Sequence, residues 1–212
     1  MHRRQWIDAS VRAIFRRETP DPATNGGDMA TNPVIRPAGP DDAAAIAAIH
    51  AASWRVTYRG LMPDAYLDSL TADARRPMWD QVLTSQTSRV DVQVLDVEGA
   101  VAGFVWTGPC LGNDHPASTG ELYAIYVRPG LEGQGLGRRL LIEGESAMAR
   151  HGFTDAILHV LRDNHHARRF YEAAGWETDG IDQVEEIFSQ PVIELVYRRT
   201  LTNREAENVR QS

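Results

Sequence analysis

Hydrophobic positions fall into a regular series of short alternating and longer helical patterns from Pro33 onward. Val34 and Ile35 predict a brief first strand. Pro40-Asp41-Asp42 then reads as a helix start, because proline suits the first turn and aspartates favour its positive end. The alanine-rich stretch behind it sets Ala45, Ile46, Ile49 and Ala52 on one helical face. A second helical region is expected from about Pro63 to Leu83, broken near Thr71. Val90, Val92 and Val94 alternate with polar residues as a strand does; Glu98-Gly99 turns the chain, and Ala100 to Trp106 returns as the hairpin partner. Leu122 to Val127 predicts another strand. Leu136, Leu140, Leu141, Ala147 and Met148 mark the apolar face of a helix that Gly152 ends. Ala156 to Leu161 is expected as a strand, Ala167 to Ala174 as a helix and Ile193 to Tyr197 as a late strand. This order predicts an α/β fold of the α+β type, a sandwich built on one sheet.

Residues 1–31 depart from the pattern. Arg3, Arg4, Arg12, Arg16 and Arg17 surround Trp6, Ile7, Val11, Ile14 and Phe15, and a Pro/Gly/Asn-containing loop composition follows as far as Asp28. An amphipathic arm, an Arg-rich targeting segment or residues upstream of a start at Met29 would each suit it; a dispensable, poorly structured extension is the expectation. The domain proper is expected over 32–202, with 203–212 as a polar tail.

Composition narrows the function classes. With 42% hydrophobic and 24% charged residues the 212-residue chain reads as an ordinary globular domain. No run of about 18 apolar residues occurs, so no transmembrane span or membrane partner is expected and the cytoplasm is the expected compartment. The net charge of -7 argues against nucleic acid and suits a cationic substrate. Cys110 stands alone, which excludes an internal disulfide and thiolate metal sites. All 22 basic residues are arginine, so chemistry that needs a lysine, such as a Walker-type phosphate loop or a Schiff base, is excluded. His165 and His166 are adjacent and cannot share a helix face, so no metal is expected; His159 alternates within a strand and reads as a core group.

The chemistry concentrates in two segments. In the first, Gly133, Gly135 and Gly137 alternate between a predicted strand and a predicted helix, where successive main-chain N–H groups and the helix dipole bind phosphate. The spacing is not that of a dinucleotide fingerprint. The whole string, Val127-Arg-Pro-Gly-Leu-Glu-Gly-Gln-Gly-Leu-Gly-Arg138, resembles the signature of the Gcn5-related N-acetyltransferase (GNAT) superfamily. The second segment, Asn164 followed by Phe170-Tyr171-Glu-Ala-Ala-Gly-Trp176, is similar to that family's second motif, and Ser53 to Pro63 is similar to an acceptor-side segment of its small-molecule members.

The resemblance implies a mixed, mostly antiparallel sheet flanked by helices on both faces, with acetyl-CoA as donor. It would put main-chain amides of Gly133, Gln134, Gly135, Leu136, Gly137 and Arg138 on the pyrophosphate, and backbone groups of Ile125, Tyr126 and Val127 along the pantetheine arm like an added strand. Asn164 would hydrogen-bond the carrier near that arm, and a backbone N–H near Ile125 would face the developing oxyanion. Glu132 departs from the family pattern, which has Gln or Arg there; a carboxylate beside a diphosphate weakens binding, and Arg138 and Arg139 would compensate.

A lysine-like amine of pKa ~10.4 costs about 4–5 kcal/mol to deprotonate at pH 7, an amine near pKa ~8 only about 1–1.5 kcal/mol, so a base matters more for the first. The resemblance makes Glu121 the candidate base and Tyr171 the group that stabilises or protonates the departing thiolate; Glu98 and the carboxylates of 182–186 are less suited. Trp54, Tyr58, Trp106 and a flexible Thr107–Gly120 loop would line the acceptor pocket, the aromatic faces holding a cation. The expected function is acetyl transfer to a primary amine, of a small molecule, by direct attack in a ternary complex. A non-catalytic acyl-CoA-binding regulatory module, suggested by Glu132, and a protein N-terminal or side-chain acetyltransferase remain open, and the family is compatible with a homodimer.

Overall fold

The alternating segments pair into one sheet in the computed structural model, which describes residues 32–85, 87–111, 115–187 and 190–201. The extension expected at 1–31 and the tail at 203–212 lie outside the described residues. The strands are β1 (Val34–Pro37), β2 (Asp91–Val97), β3 (Ala100–Pro109), β4 (Thr119–Val127), β5 (Asp155–Leu161), β6 (Glu177–Thr178), β7 (Gln183–Ile187) and β8 (Gln190–Thr200). Their order is β1-β2-β3-β4-β5-β8-β6, with β7 also on β8. Among the strands of the described residues, only β4 and β5 run parallel.

Helices cover both faces because the strands alternate. On β3, Phe104 and Trp106 meet Trp79 of α3 (Ala72–Thr84), with ring centroids 4.9 and 5.1 Å apart. The intervening positions face α4 (Leu136–Arg150) instead. A Cβ at Gly103 would lie 2.9 Å from Leu140 and 2.7 Å from the Tyr126 carbonyl, and one at Gly144 would lie 2.8 Å from Val105. These glycines let the helix seat directly on the strand. Helix α1 (Ala43–Thr57) joins α3 on the first face, and α5 (His165–Ala173) lies on the α4 side, where the Tyr197 hydroxyl donates to Glu172 at 2.6 Å.

The first helix starts where the sequence signals it, through a short 3-10 turn over Pro40–Asp42. Arg36 of β1 lies 2.7 Å from both Asp42 at that turn and Asp96 of β2, and its guanidinium holds the Asp42 carboxyl below the usual range. The helical region after Pro63 is two helices, α2 (Asp64–Ser69) and α3, with the Thr71 hydroxyl capping α3 by accepting the Ala74 N–H. Helix α4 ends at His151 and turns through Gly152 at φ 79°.

Two expectations are corrected. The Thr107–Gly120 loop is shorter: β3 continues to Pro109 and β4 begins at Thr119, so Thr107, Gly108 and Pro109 pair with Leu122, Glu121 and Gly120. Gly108 is tolerated there because the Tyr123 ring fills its side-chain space. Strands β6 and β7 were not expected, because segments of two and five residues carry little periodicity and form only against β8.

Gly103→Ala should lower unfolding stability by about 1–3 kcal/mol in urea titration, since its Cβ meets backbone that cannot move without breaking the β3–β4 ladder.

Candidate active site

Parallel strands β4 and β5 pair only through Thr119–Glu121 and Asp155–Ile157. Beyond those residues β4 continues to Val127 against β3, and β5 continues to Leu161 against β8. A β-bulge sits opposite Trp106/Thr107, where Tyr123 is the extra residue of β4, two residues past Glu121. Bulges bend a strand and increase its twist, which turns β4 away from β5. The result is a wedge-shaped opening, with the β5-facing edge of β4 outside any ladder among the described residues. An extended chain can lie along such an edge.

The glycine-rich turn stands at the wide end. Gly130, Gly133 and Gly135 have φ of 92°, 78° and 75°, the left-handed region that favours glycine. A Cβ at Gly133 or Gly135 would meet nothing within 4 Å, so the turn faces open space. Gln134 is exposed between them. The first intrahelical bond of α4 here is Arg139 N–H to the Gly135 carbonyl (3.1 Å), which leaves the amides of Leu136, Gly137 and Arg138 ahead of the helix ladder. That is the donor set an anion requires.

The neighbouring charges are arranged differently from expectation. The Glu132 carboxylate accepts the Gly130 N–H at 2.8 Å, held back on its own turn. Arg138 Nη1 donates to the Ala173 carbonyl (3.4 Å) and Arg139 Nη2 to the Pro33 carbonyl (2.5 Å). Both guanidiniums are thereby engaged with main chain away from the turn, so the expected compensation of Glu132 by these two side chains is not the arrangement seen.

Asn164 caps α5, its Oδ1 accepting the Ala167 N–H at 3.1 Å. Two turns on, Tyr171 is buried against Phe170, Trp176 and Tyr197. Burial pushes its phenol pKa up, and the nearby Tyr126 acts in the same direction, so Tyr171 is a protonated donor at neutral pH. Tyr126 belongs to β4 and accepts the Trp54 indole N–H at 2.8 Å. The two tyrosines belong to β4 and α5, on either side of the opening. Beside them the Ser53 hydroxyl donates to the Val127 carbonyl at 3.3 Å.

Trp54, Tyr58 and Trp106 all lie in the core. The Trp54 and Tyr58 rings are tilted against each other with centroids 4.6 Å apart, and Trp106 is edge-on to both Trp79 and Tyr123. Their faces are filled by neighbouring rings and, for Trp54, by the Arg75 guanidinium 5.7 Å away. They form the wall behind the opening.

Glu121 sits where β4 and β5 part, 7% exposed, on the sheet face opposite α4. Its Oε2 accepts the Leu111 N–H at 3.1 Å, while Oε1 lies 3.9 Å from His159 Nε2. The other ring nitrogen, Nδ1, lies 3.9 Å from the buried carboxylate of Glu194 on β8. His159 is half-buried between two carboxylates, not in the apolar core the alternation suggested. Sequence reasoning passed over Glu194; the available signal was a carboxylate at an inward position between Ile193 and Leu195. Cys110 approaches the Gly120 carbonyl at 3.6 Å, its pKa pushed up to about 12 by burial and by the Glu121 charge, against an opposing effect of Arg198. Among the described residues no group of three His, Cys, Asp or Glu side chains is arranged to hold a metal ion, and no helix is long and apolar enough to cross a membrane.

Residues 48–176 match the family described as the acetyltransferase (GNAT) family. The chain is 34% identical over 130 residues to the uncharacterized N-acetyltransferase YuaI of Bacillus subtilis (strain 168), 61% of this chain and 72% of that protein. It is 27% identical over 141 residues to a spermidine N(1)-acetyltransferase of Thermoplasma acidophilum, 63% of this chain and 83% of the other. The fold matches the crystal structure of a PaiA N-acetyltransferase from Thermoplasma acidophilum in complex with coenzyme A, at TM-score 0.62 and 21% identity, over 77% of this chain and 98% of that one.

Because the raised pKa reflects burial and the Glu121 charge, native Cys110 should resist iodoacetamide at pH 8 and react readily once unfolded. Glu121→Gln should lower the thiol pKa and speed native labelling, followed by intact mass; an unchanged rate would mean that Glu121 carries no charge there.

Proposed function

The chain belongs to the GNAT family of acetyltransferases, and from that premise we propose that it moves an acetyl group from acetyl-CoA to a primary amine of a small molecule by direct attack in a ternary complex. The observation that carries this reading is the wedge between β4 and β5, with amides ahead of the α4 ladder at its wide end and Glu121 where the strands part. The donor set fits the carrier: Gly133 and Gly135 face open space, and the amides of Gly133 to Arg138 take the pyrophosphate. Ile125, Tyr126 and Val127 flank the pantetheine arm along the unladdered edge, and Asn164 contributes from the α5 cap.

Glu121 accepts the proton that the amine loses as its nitrogen bonds to the acetyl carbon. Its burial keeps water from competing, and its Oε2 is fixed by the Leu111 amide. Breakage of the carbon–sulfur bond leaves a thiolate. Tyr171, with its phenol protonated at neutral pH, donates to it across the opening. Trp54, Tyr58 and Trp106 shape the acceptor side as its rigid wall.

Glu132 had suggested a non-catalytic binding module. Its carboxylate is occupied by the Gly130 amide, which reduces its repulsion of a diphosphate and favours the catalytic reading. The relative that acetylates spermidine makes polyamines a natural first choice among acceptors, and the net charge of -7 agrees.

Release of coenzyme A should be seen with at least one member of a panel holding polyamines, arylalkylamines and a peptide with an unmodified N-terminus. Binding of acetyl-CoA by calorimetry with no turnover across the panel would establish the module instead, and turnover on the peptide alone would move the acceptor to proteins. Tyr171→Phe should reduce kcat by on the order of 10²-fold with acetyl-CoA affinity nearly unchanged; unaltered turnover removes Tyr171 from the reaction. Gly135→Val should abolish measurable acetyl-CoA binding in calorimetry, because its side chain enters the space the ligand needs and φ of 75° strains a β-branched residue. Retained affinity refutes the loop assignment.

A further inference from the structure

Three strands converge on one imidazole. His159 lies on β5, two residues past the last residue paired with β4, on the same sheet face as Ile157. Glu121 reaches it from β4, and Glu194 reaches it from β8, where Glu194 is paired with Leu161. Tyr197, on the alternate set of β8 positions, packs with α5 on the other side of the sheet. The cluster therefore occupies the face away from the glycine-rich helix.

The two ring nitrogens divide between two carboxylates, Nε2 toward Glu121 and Nδ1 toward Glu194, each at 3.9 Å. Glu194 is fully buried and Glu121 nearly so. Two carboxylates this deep repel one another and are disfavoured in low dielectric unless a donor stands between them. A protonated imidazole offers an N–H at both ends. Glu121 is thus held at Oε2 by the Leu111 amide, 3.1 Å away, with the ring 3.9 Å from Oε1 as its neighbour on the other oxygen.

We propose that His159 is a positioning residue for acetyl transfer: anchored by Glu194, it aims the Oε1 oxygen of Glu121 at the acceptor amine. This rests on the reading of Glu121 as the base. The ring takes no part in bond making. Glu194 acts one step further back, holding the ring rather than the base.

The test uses the full chain and an amine acceptor established by the panel. His159→Ala should lower kcat by roughly 10- to 100-fold, the scale expected of a misplaced reacting group, with acetyl-CoA affinity unchanged. The loss should be larger for an acceptor of pKa near 10 than for one near 8, because only the former depends heavily on a placed base. Glu194→Gln should produce a smaller loss of the same kind. Adding imidazole to His159→Ala should restore part of the rate, which a purely structural defect would not allow. The double variant Glu121→Gln/His159→Ala should be no slower than Glu121→Gln alone. Should His159→Ala fail to fold by circular dichroism, His159→Gln, which keeps a single N–H donor group, carries the same comparisons. Wild-type kcat in a folded His159 variant, or independent multiplication of the two losses, overturns the proposal while leaving the base in place. Wild-type kcat in Glu121→Gln instead removes the base itself, and His159 with it.

Discussion

The parting of two parallel strands is the constraint on which this molecule depends. Strands β4 and β5 share three pairs, then each is claimed by its other neighbour, β4 by β3 and β5 by β8. The bulge at Tyr123, two residues past Glu121, makes the parting permanent, since an extra residue bends the strand and breaks its register. A closed ladder would bury the β4 edge and leave no place for an extended ligand. The opening is thus a consequence of pairing geometry, and the side chains around it are arranged on either side of a gap the backbone creates.

Each side of that gap has a distinct chemical character. The α4 and α5 side presents main-chain amides at a helix start and a phenol whose proton is retained by burial. The opposite side presents a chain of titratable side chains, Glu121, His159 and Glu194, drawn from three neighbouring strands. Tyr126 of β4 stands at the gap, its hydroxyl tied to the Trp54 indole. In the proposed reaction, the acceptor loses its proton on one side and the departing thiolate accepts a hydrogen bond from the Tyr171 phenol on the other, so the separation of base and donor follows from the separation of the faces.

The aromatic residues give this arrangement its rigidity. Trp54, Tyr58, Trp79, Phe104, Trp106 and Tyr126 pack as one cluster between α1, α3 and the sheet, and two of the indoles are paired inside it, the Trp79 N–H donating to His50 at 3.1 Å and the Trp54 N–H to Tyr126 at 2.8 Å. Paired polar edges allow large rings to be buried without loss of hydrogen bonding. On the far face, Glu145 receives both the Trp176 indole and the Arg199 guanidinium, tying α4, the end of α5 and β8 into one body.

Local features were legible in the chain. The alternation of Val90, Val92 and Val94, the apolar face of α4 and the glycine-rich turn are all properties of residues close in sequence, and they report backbone conformation directly. The motif around Gly133 to Gly137 located the anion-binding turn for the same reason. What the sequence could not determine was which strands meet and for how far. The three-pair limit of β4 with β5 depends on a bulge formed against β3, and the short strands β6 and β7 exist only because β8 offers an edge. His159 reads as one alternating residue among many until β4 and β8 bring Glu121 and Glu194 to it from 38 and 35 residues away in sequence (159 − 121 and 194 − 159). Hydrophobic period encodes the face a residue takes; only packing of distant segments decides its neighbours there, because strand pairing is a property of two chains in space.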